Sequence, residues 1–101
     1  MRFSKWQGLG NDFVLLDCRQ QPLNNPAEWS IKLCDRHFGI GADGLALVES
    51  SEIADVRMRL INNDGSEAEM CGNLIRCVAR YAYEAGIVNN TSLTVETLAG
   101  I

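Results

Sequence analysis

The sequence predicts an α+β domain in which a curled sheet of mixed or antiparallel strands surrounds a largely buried central helix. Two observations carry this prediction. Short segments of alternating polar and apolar residues, separated by turn residues, recur along the chain and are typical of strands. Two longer segments repeat their apolar residues every three or four positions, as helices do. The predicted order is ββαββαβ, and residues 1–101 have the size of one domain.

The first three elements are two strands and a helix. RFSKWQ and DFVLLD are separated by a glycine-rich turn and have the composition of strands. Asn25 and Pro26 mark the start of the helix, because asparagine caps helix N-termini and proline is favoured at the first helical position. We expect this helix to end at Gly39, since glycine is the usual helix terminator.

LALVES and ADVRMRLIN are predicted to be the next two strands. In the second, Val56, Met58 and Leu60 alternate with two arginines. Because successive side chains of a strand point to opposite faces, one face of this strand is apolar and the other is charged.

The second helix is predicted from Gly72 to Ala85, with Gly86 as its terminator. Most of its surface is apolar, and a helix of this kind is expected to be largely buried. Its polar residues form one narrow stripe of Asn73, Arg76, Arg80 and Glu84. SLTVETL then supplies the last strand.

Composition and charge argue against several classes of partner. The net charge is -4 and the basic residues are scattered, which disfavours nucleic acid or an anionic membrane as the main partner. No apolar run is long enough for a membrane span, and the N-terminus lacks the hydrophobic region of a signal peptide. Cys18, Cys34, Cys71 and Cys77 are therefore expected to be thiols in a reducing compartment, and we expect a cytoplasmic protein. Cys18, Cys34 and Cys77 are interpreted as core residues.

GIGADG, at residues 39–44, matches the G-x-G-x-x-G pattern of dinucleotide-binding sites. That pattern requires a strand before it and a helix after it, whereas here the predicted order is the reverse. We interpret its glycines as a helix stop and a loop that needs a positive φ angle. His37 is the only histidine, and no two cysteines have the close spacing of zinc ligands, so no metal site is expected.

Cys71 precedes Gly72 at the start of the second predicted helix. A thiolate at a helix N-terminus is stabilised by free backbone N–H groups, which lowers its pKa. The amides of Gly72 and Asn73 could also bind a ligand carboxylate, giving a thiol and an anion cradle suited to proton abstraction. Ser66 and Glu69, however, form a capping-box pattern that would start the helix earlier and make Cys71 a buried helical residue. Spacing alone leaves both interpretations open.

Three blocks, GLGNDFVLLD, DRHFGIGADG and NNDGSEAEMCGNLIRC, together resemble the N-terminal half of the diaminopimelate epimerase family. The resemblance extends over essentially the whole chain. It implies a cofactor-independent isomerase of lysine and peptidoglycan precursor synthesis, which interconverts LL- and meso-diaminopimelate. In that family, two cysteines face each other across the substrate α-carbon. One removes the proton as a thiolate, and the other, as a thiol, returns a proton to the opposite face.

The resemblance also implies roles for individual residues. Cys71 corresponds to the first catalytic cysteine. Asn11 and Asn62 match positions that hold the substrate, and the amides of Gly72 and Asn73 match the cradle for its carboxylate. The resemblance thereby favours the helix-end interpretation of Cys71, with no metal and no cofactor.

Two features depart from the family. Leu74 stands where a small residue, often glycine, is usual, so it would crowd the substrate pocket or the packing of a second domain. Gly44 stands where some members have a glutamine that contacts substrate and many others have glycine. The chain also ends where the first of the family's two domains nears completion. A missing C-terminal domain or a second copy is therefore expected to supply the other cysteine.

Two alternatives to a diaminopimelate epimerase half-site stay open. One is a non-catalytic, isolated or self-associating half-domain. The other is a related amino-acid racemase of broader specificity. Proline racemases usually have histidine where this chain has Asn73, and related isomerases replace the cysteine with a carboxylate, so diaminopimelate remains the first candidate substrate.

Overall fold

A computed structural model describes residues 3–8, 11–37, 39–68, 72–86 and 94–97. Within these ranges, six strands form one mixed sheet and two helices pack against it, which confirms the α+β class. The elements are β1 (Phe3–Gly8), β2 (Asn11–Asp17), α1 (Pro26–Cys34), β3 (Gly44–Glu49), β4 (Val56–Asn62), β5 (Glu67–Ala68), α2 (Gly72–Glu84) and β6 (Val95–Glu96).

The strands of the sheet run in the order β1-β2-β3-β4-β5, and β6 also pairs with β4. β2 and β3 are parallel neighbours joined through α1, and β4 and β6 are also parallel, whereas the other pairs are antiparallel. β5 pairs with β4 at Leu60 and Ile61, and β6 pairs with β4 at Val56 and Arg57. The two short strands therefore sit at opposite ends of β4.

The helices cover opposite faces of the sheet, which explains why β2 and β3 are almost continuously apolar. Alternate residues of these strands belong to two separate buried clusters. The cluster at α2 contains Phe13, Leu15, Ala46, Val48, Val56, Met58, Leu60, Cys77 and Val78. The cluster at α1 contains Val14, Leu16, Cys18, Cys34, Ala42, Leu45, Leu47 and Ile61.

α1 ends at Cys34, so the expectation that it continues to Gly39 is wrong. The reason lies in the loop that follows. Ile40 donates its N–H to the carbonyl of Leu33 at 2.9 Å, and Ala42 donates to the carbonyl of Cys34 at 3.1 Å. The last carbonyls of the helix are thus satisfied by the loop that follows and need no further helical turn.

The predicted side-chain cap by Asn25 is also wrong. Asn25 occupies the N-cap position with a left-handed backbone (φ 56°), and its side chain makes no capping hydrogen bond. Its carbonyl accepts the N–H of Trp29 at 3.2 Å, which opens the helix through the backbone alone. Pro26 occupies the first helical position, as predicted.

The strand β5 was not predicted, and it changes the element order to ββαβββαβ. Glu67 and Ala68 pair with Ile61 and Leu60 in extended conformation. A helix that starts at Glu67 is therefore excluded, and the capping-box interpretation is wrong. A two-residue strand has no periodicity of its own, which is why the pattern did not indicate it.

α2 ends at Glu84, one residue before the predicted Ala85, and Gly86 follows in the turn at a positive φ of 75°. Its burial is less complete than its composition indicates. Val78 and Ala82 are fully buried, but Tyr83 is 59% exposed on the opposite side of the helix. The open sheet covers only one side of α2, so part of its apolar surface faces solvent.

Candidate functional site at the Asn11–Asn62 edge of the sheet

Three strands terminate at the same end of the sheet, which we call the Asn11–Asn62 edge. Asn11 begins β2, Gly44 begins β3 and Asn62 ends β4. Gly44 pairs with Asn62 on one side and with Phe13 on the other. Since alternate residues share a face, Asn62 and the backbone position of Asn11 belong to the α2 face. The two asparagines that the resemblance implicates thus flank one strand at one edge; the side chain of Asn11 lies outside what the structure describes.

Gly44 keeps the space between these strands free of a side chain. A Cβ atom at this position would lie 2.9 Å from Leu60 Cδ1 and 3.2 Å from the carbonyl oxygen of Ile61. The first distance is shorter than real Cβ contacts, so a larger residue would displace its neighbours. The side chain of Leu60 and the carbonyl of Ile61 therefore pack closely against the backbone of Gly44, which pairs with Asn62.

Asn62 is held by a tight turn. Its backbone N–H donates to the carbonyl of Ser66 at 2.7 Å, and its side-chain Nδ2 donates to Ser66 Oγ at 3.1 Å. Ser66 in turn donates its hydroxyl to Asp64 Oδ1 at 2.6 Å. Hydrogen bonds from the hydroxyl and then the N–H of Ser66 hold the pKa of Asp64 below its ordinary value, so Asp64 accepts as a carboxylate.

A second anchor reaches Asn62 from the opposite face of the sheet. Ser30 of α1 is fully buried, and its hydroxyl donates to the carbonyl oxygens of Asn62 at 2.8 Å and Ile61 at 3.1 Å. Ser30 was not predicted from the sequence. A small polar residue one turn before the inward-facing Cys34 is the only sequence signal that could have indicated it.

α2 begins at Gly72, the residue after Cys71. The N–H groups of Gly72 and Asn73 lie in the first turn of this helix, where amides have no intrahelical partner. Gly72 follows Ala68 of β5 by four residues, which limits the distance between their Cα atoms to about 14 Å. Cys71 itself and the side chains of Asn73 and Leu74 lie outside the described residues.

The three described cysteines are buried, as predicted for core residues, and none of them forms a disulfide. Burial raises the pKa of Cys18, with a further contribution from the carboxylate of Glu49. Burial likewise raises the pKa of Cys34. Cys77 is 7% exposed on the buried side of α2. Protonated thiols packed in this way are poor general bases.

Gly41, inside GIGADG, has the positive φ angle (83°) that the motif was expected to need. The motif follows α1 and precedes β3, which is the reverse of the order in a dinucleotide-binding site. The part of the chain that the structure describes contains no group of three or more histidine, cysteine or acidic side chains placed to hold a metal ion.

Two open clefts lie away from this edge. One, of about 440 Å³, is lined by residues that include Asp17, Arg19 and Tyr81. The other, of about 260 Å³, is lined by residues that include Ser51 and Glu96. Each contains a pair of polar groups that bond one another: Tyr81 Oη donates to Asp17 Oδ2 at 2.7 Å in the first, and Ser51 Oγ donates to Glu96 Oε1 at 2.7 Å in the second.

Neither helix of the described residues is long and apolar enough to cross a bilayer.

Comparison with known proteins identifies the family. The family model for diaminopimelate epimerase matches residues 3–101. Among curated relatives, the diaminopimelate epimerases of Caldanaerobacter subterraneus subsp. tengcongensis, Acetivibrio thermocellus and Methanococcus maripaludis are 59%, 55% and 52% identical over 101 residues. These matches cover 100% of this chain and 36% of each relative, in its N-terminal part.

Among solved structures, the Bacillus anthracis phenazine biosynthesis protein of the PhzF family matches with a TM-score of 0.70 at 26% identity. The match covers 97% of this chain and 32% of that protein. The structural match supports the α+β fold of this chain. The sequence matches show that the chain belongs to the diaminopimelate epimerase family and corresponds to the N-terminal third of its curated relatives.

Proposed function

We propose that this chain forms one half of a diaminopimelate epimerase site, with Cys71 as one of its two acid/base thiols. The substrate is diaminopimelate, and the reaction inverts its α-carbon between the LL and meso forms without a cofactor. The observation that carries the proposal is that α2 starts at Gly72, four residues after the strand that pairs with the end of β4, while the strand ends of Asn11 and Asn62 flank β3. Together with family membership, this supports a site at that edge.

The chemistry assigns a separate task to each group. The N–H groups of Gly72 and Asn73 receive the α-carboxylate, which the helix N-terminus favours electrostatically. The same field favours a thiolate at Cys71, which removes the α-proton. Asn11 and Asn62 bind the remaining polar groups of the substrate and orient the α-carbon. A second thiol then delivers a proton to the opposite face, so one proton leaves and one returns.

The second thiol must come from outside the described sheet. Two sulfurs that act on opposite faces of one carbon each approach it to roughly 3–3.5 Å. Cys77 lies about 7.5 Å beyond Gly72, the first residue of α2, at 1.5 Å per residue, and its side chain is buried. Cys18 and Cys34 are buried in the cluster at α1. The region of the relatives beyond the matched third, or a second copy of this chain, therefore supplies the partner thiol.

A second candidate function is a self-associating half-domain without catalytic activity. The exposed Tyr83 on α2 and the outer edge of β1 favour it, because both are surfaces that a second copy could cover. We also propose a cytoplasmic location, in keeping with the buried cysteines, which form no disulfide among the described residues.

Hydrogen exchange at the substrate α-carbon tests the proposal. The chain is incubated with meso- or LL-diaminopimelate in deuterated buffer, and deuterium at the α-carbon is read by mass spectrometry. The assay is repeated with the C-terminal two-thirds of the Caldanaerobacter relative added. We expect exchange that is lost in Cys71→Ala and retained in Cys77→Ala, a matched control that removes a buried thiol from α2.

The dependence on protein concentration separates the candidates. Exchange per chain that rises with concentration assigns the second base to another copy. Exchange that requires the added C-terminal part assigns it to the rest of the enzyme. If neither condition gives exchange that depends on Cys71, the catalytic proposal is wrong and the half-domain is left as the function.

A further inference from the structure

We propose that Asp43 is a positioning residue, whose side chain and backbone hold the strand ends of Asn11 and Asn62 in one relative orientation. The inference rests on the proposed function, in which these asparagines bind substrate. Asp43 belongs to GIGADG, whose glycines serve the loop and the close strand packing. Neither of these glycine roles involves the aspartate of the motif.

The first connection is to β2. Asp12 donates its N–H to Asp43 Oδ2 at 2.9 Å, and Asp43 donates its own N–H to the carbonyl of Asp12 at 3.0 Å. The N–H of Asp12 belongs to the peptide that also contains the carbonyl of Asn11. The carboxylate of Asp43 therefore fixes the plane of the peptide directly after Asn11.

The second connection is to β4. Asn63 donates its N–H to the backbone carbonyl of Asp43 at 3.1 Å. This N–H belongs to the peptide directly after Asn62. One residue thus binds the peptides that follow both asparagines, through its carboxylate on one side and its carbonyl on the other. A change in the backbone at residue 43 would move the two strand ends relative to each other.

Arg36 orients the carboxylate for this task. Its Nη2 lies 3.1 Å from Asp43 Oδ1, and its Nη1 lies 3.6 Å from Asp12 Oδ2. One carboxylate oxygen of Asp43 is thereby engaged by the guanidinium, and the other is turned toward the N–H of Asp12. Because the Arg36 side chain is 56% exposed, we assign it this orienting role and little effect on stability.

The proposal is tested first without ligand. Backbone N–H residual dipolar couplings, measured by NMR on the 101-residue chain, report the relative orientation of the peptides at Asp12 and Asn63. We expect Asp43→Ala to change this orientation and to accelerate hydrogen exchange at the N–H of Asp12. Asp43→Asn keeps an oxygen that can accept this N–H, so it should stay close to the wild type. If Asp43→Ala fails to fold, Asp43→Ser replaces it. The serine hydroxyl is one bond closer to the backbone than the carboxylate oxygen and cannot reach the N–H of Asp12.

Asp55→Ala is the matched control. Asp55 Oδ2 also accepts a backbone N–H from a distant segment, that of Thr94 at 2.9 Å, but near the other end of β4. Its loss should change the couplings near Thr94 and leave those of Asp12 and Asn63 as in the wild type. Unchanged couplings at Asp12 and Asn63 in Asp43→Ala, or equal changes in the control, would overturn the proposal.

Titration with meso-diaminopimelate gives the functional readout. Misplacement of a binding group by about 1 Å costs on the order of 100-fold in productive binding and turnover. We expect Asp43→Ala to weaken affinity at least about 10-fold, with Asp43→Asn within about threefold of the wild type. Wild-type affinity in Asp43→Ala would contradict the positioning role. If the wild-type chain shows no binding even with the C-terminal two-thirds of the Caldanaerobacter relative added, the proposed function loses its support, whereas the ligand-free couplings still decide the role of Asp43.

Discussion

The two faces of the sheet are covered by different kinds of side chain, and β4 shows the difference most clearly. Toward α2 it presents Val56, Met58 and Leu60, all at most 5% exposed. Toward the α1 face it presents Arg57 and Arg59. These arginines pair with acidic residues of the neighbouring strands: Arg59 with Glu67 at 2.7 Å and Glu49 at 3.6 Å, and Arg57 with Glu49 at 3.9 Å.

The length of the helices explains this contrast. α1 has nine residues and α2 has thirteen. Because the short helix leaves part of its face uncovered, charged side chains with long aliphatic stems occupy the remainder. The α2 face stays apolar along β4 until the row of Gly44 and Asn62. The candidate site therefore begins where the core of this face ends, so its polar groups reach solvent or substrate without crossing the core.

The largest expected effect is the loss of stability when an apolar side chain of β4 is shortened, compared with a charged side chain on the other face of the same strand. Met58→Ala should lower the free energy of unfolding by about 3 kcal/mol, since it removes a side chain that is 2% exposed and leaves a cavity. Arg59→Ala, its immediate neighbour, should cost only about 1 kcal/mol, because its ion pairs are partly solvated. Urea unfolding at pH 7 measures both. Equal losses would show that the two faces do not differ in the way described.

An intermediate effect is expected at Ser30, the one buried polar residue among those the structure describes. Ser30→Ala should cost about 2 kcal/mol, because the carbonyls of Ile61 and Asn62 lose a buried donor. Ser50→Ala is the matched control: its hydroxyl also donates to a backbone carbonyl, that of Arg19 at 3.0 Å, but in an exposed position. The control should lose no more than about 0.5 kcal/mol. A similar loss in both variants would remove burial as the cause.

Periodicity predicted the parts of this fold that repeat. The alternation in β4 and the helical spacing of α2 gave both elements their type and nearly their bounds. Periodicity could not predict the end of α1 or the strand β5. Both depend on hydrogen bonds to residues distant in sequence or in a loop, such as the pairing of Ala68 with Leu60.

Some residues of the candidate site could likewise be predicted from the sequence, and others could not. Asn11, Asn62 and Gly72 could be named because a family pattern carries them, and the bounds of β2, β4 and α2 show where each lies on the backbone. Ser30 and Asp43 act through backbone groups of other strands. Their partners are set by the sheet register, which the sequence does not reveal. Supporting residues of this kind become visible only in the structure.

The smallest expected effect is a dependence of stability on pH that arises from the charged face. The guanidinium of Arg59 donates to both carboxylate oxygens of Glu67, at 3.1 and 2.7 Å, and this holds the pKa of Glu67 below its ordinary value of 4.5. A carboxyl group whose pKa is lowered by folding stabilises the native state above its ordinary pKa. That contribution is lost as the pH falls toward the lowered value.

Stability should therefore decline as the pH is lowered from about 5 to about 3, and Glu67 should account for at most about 1 kcal/mol of the decline because the pair is partly solvated. Glu67→Gln should be less stable than the wild type at pH 7, yet lose less on acidification. Arg59→Met should reduce the acid loss similarly, since it removes the cause of the lowered pKa while preserving much of the aliphatic packing. Urea midpoints at pH 7, 5 and 3.5 measure these slopes. If both variants lose stability on acidification as steeply as the wild type does, the ion pairs cover this face of the sheet but do not cause the loss of stability at low pH.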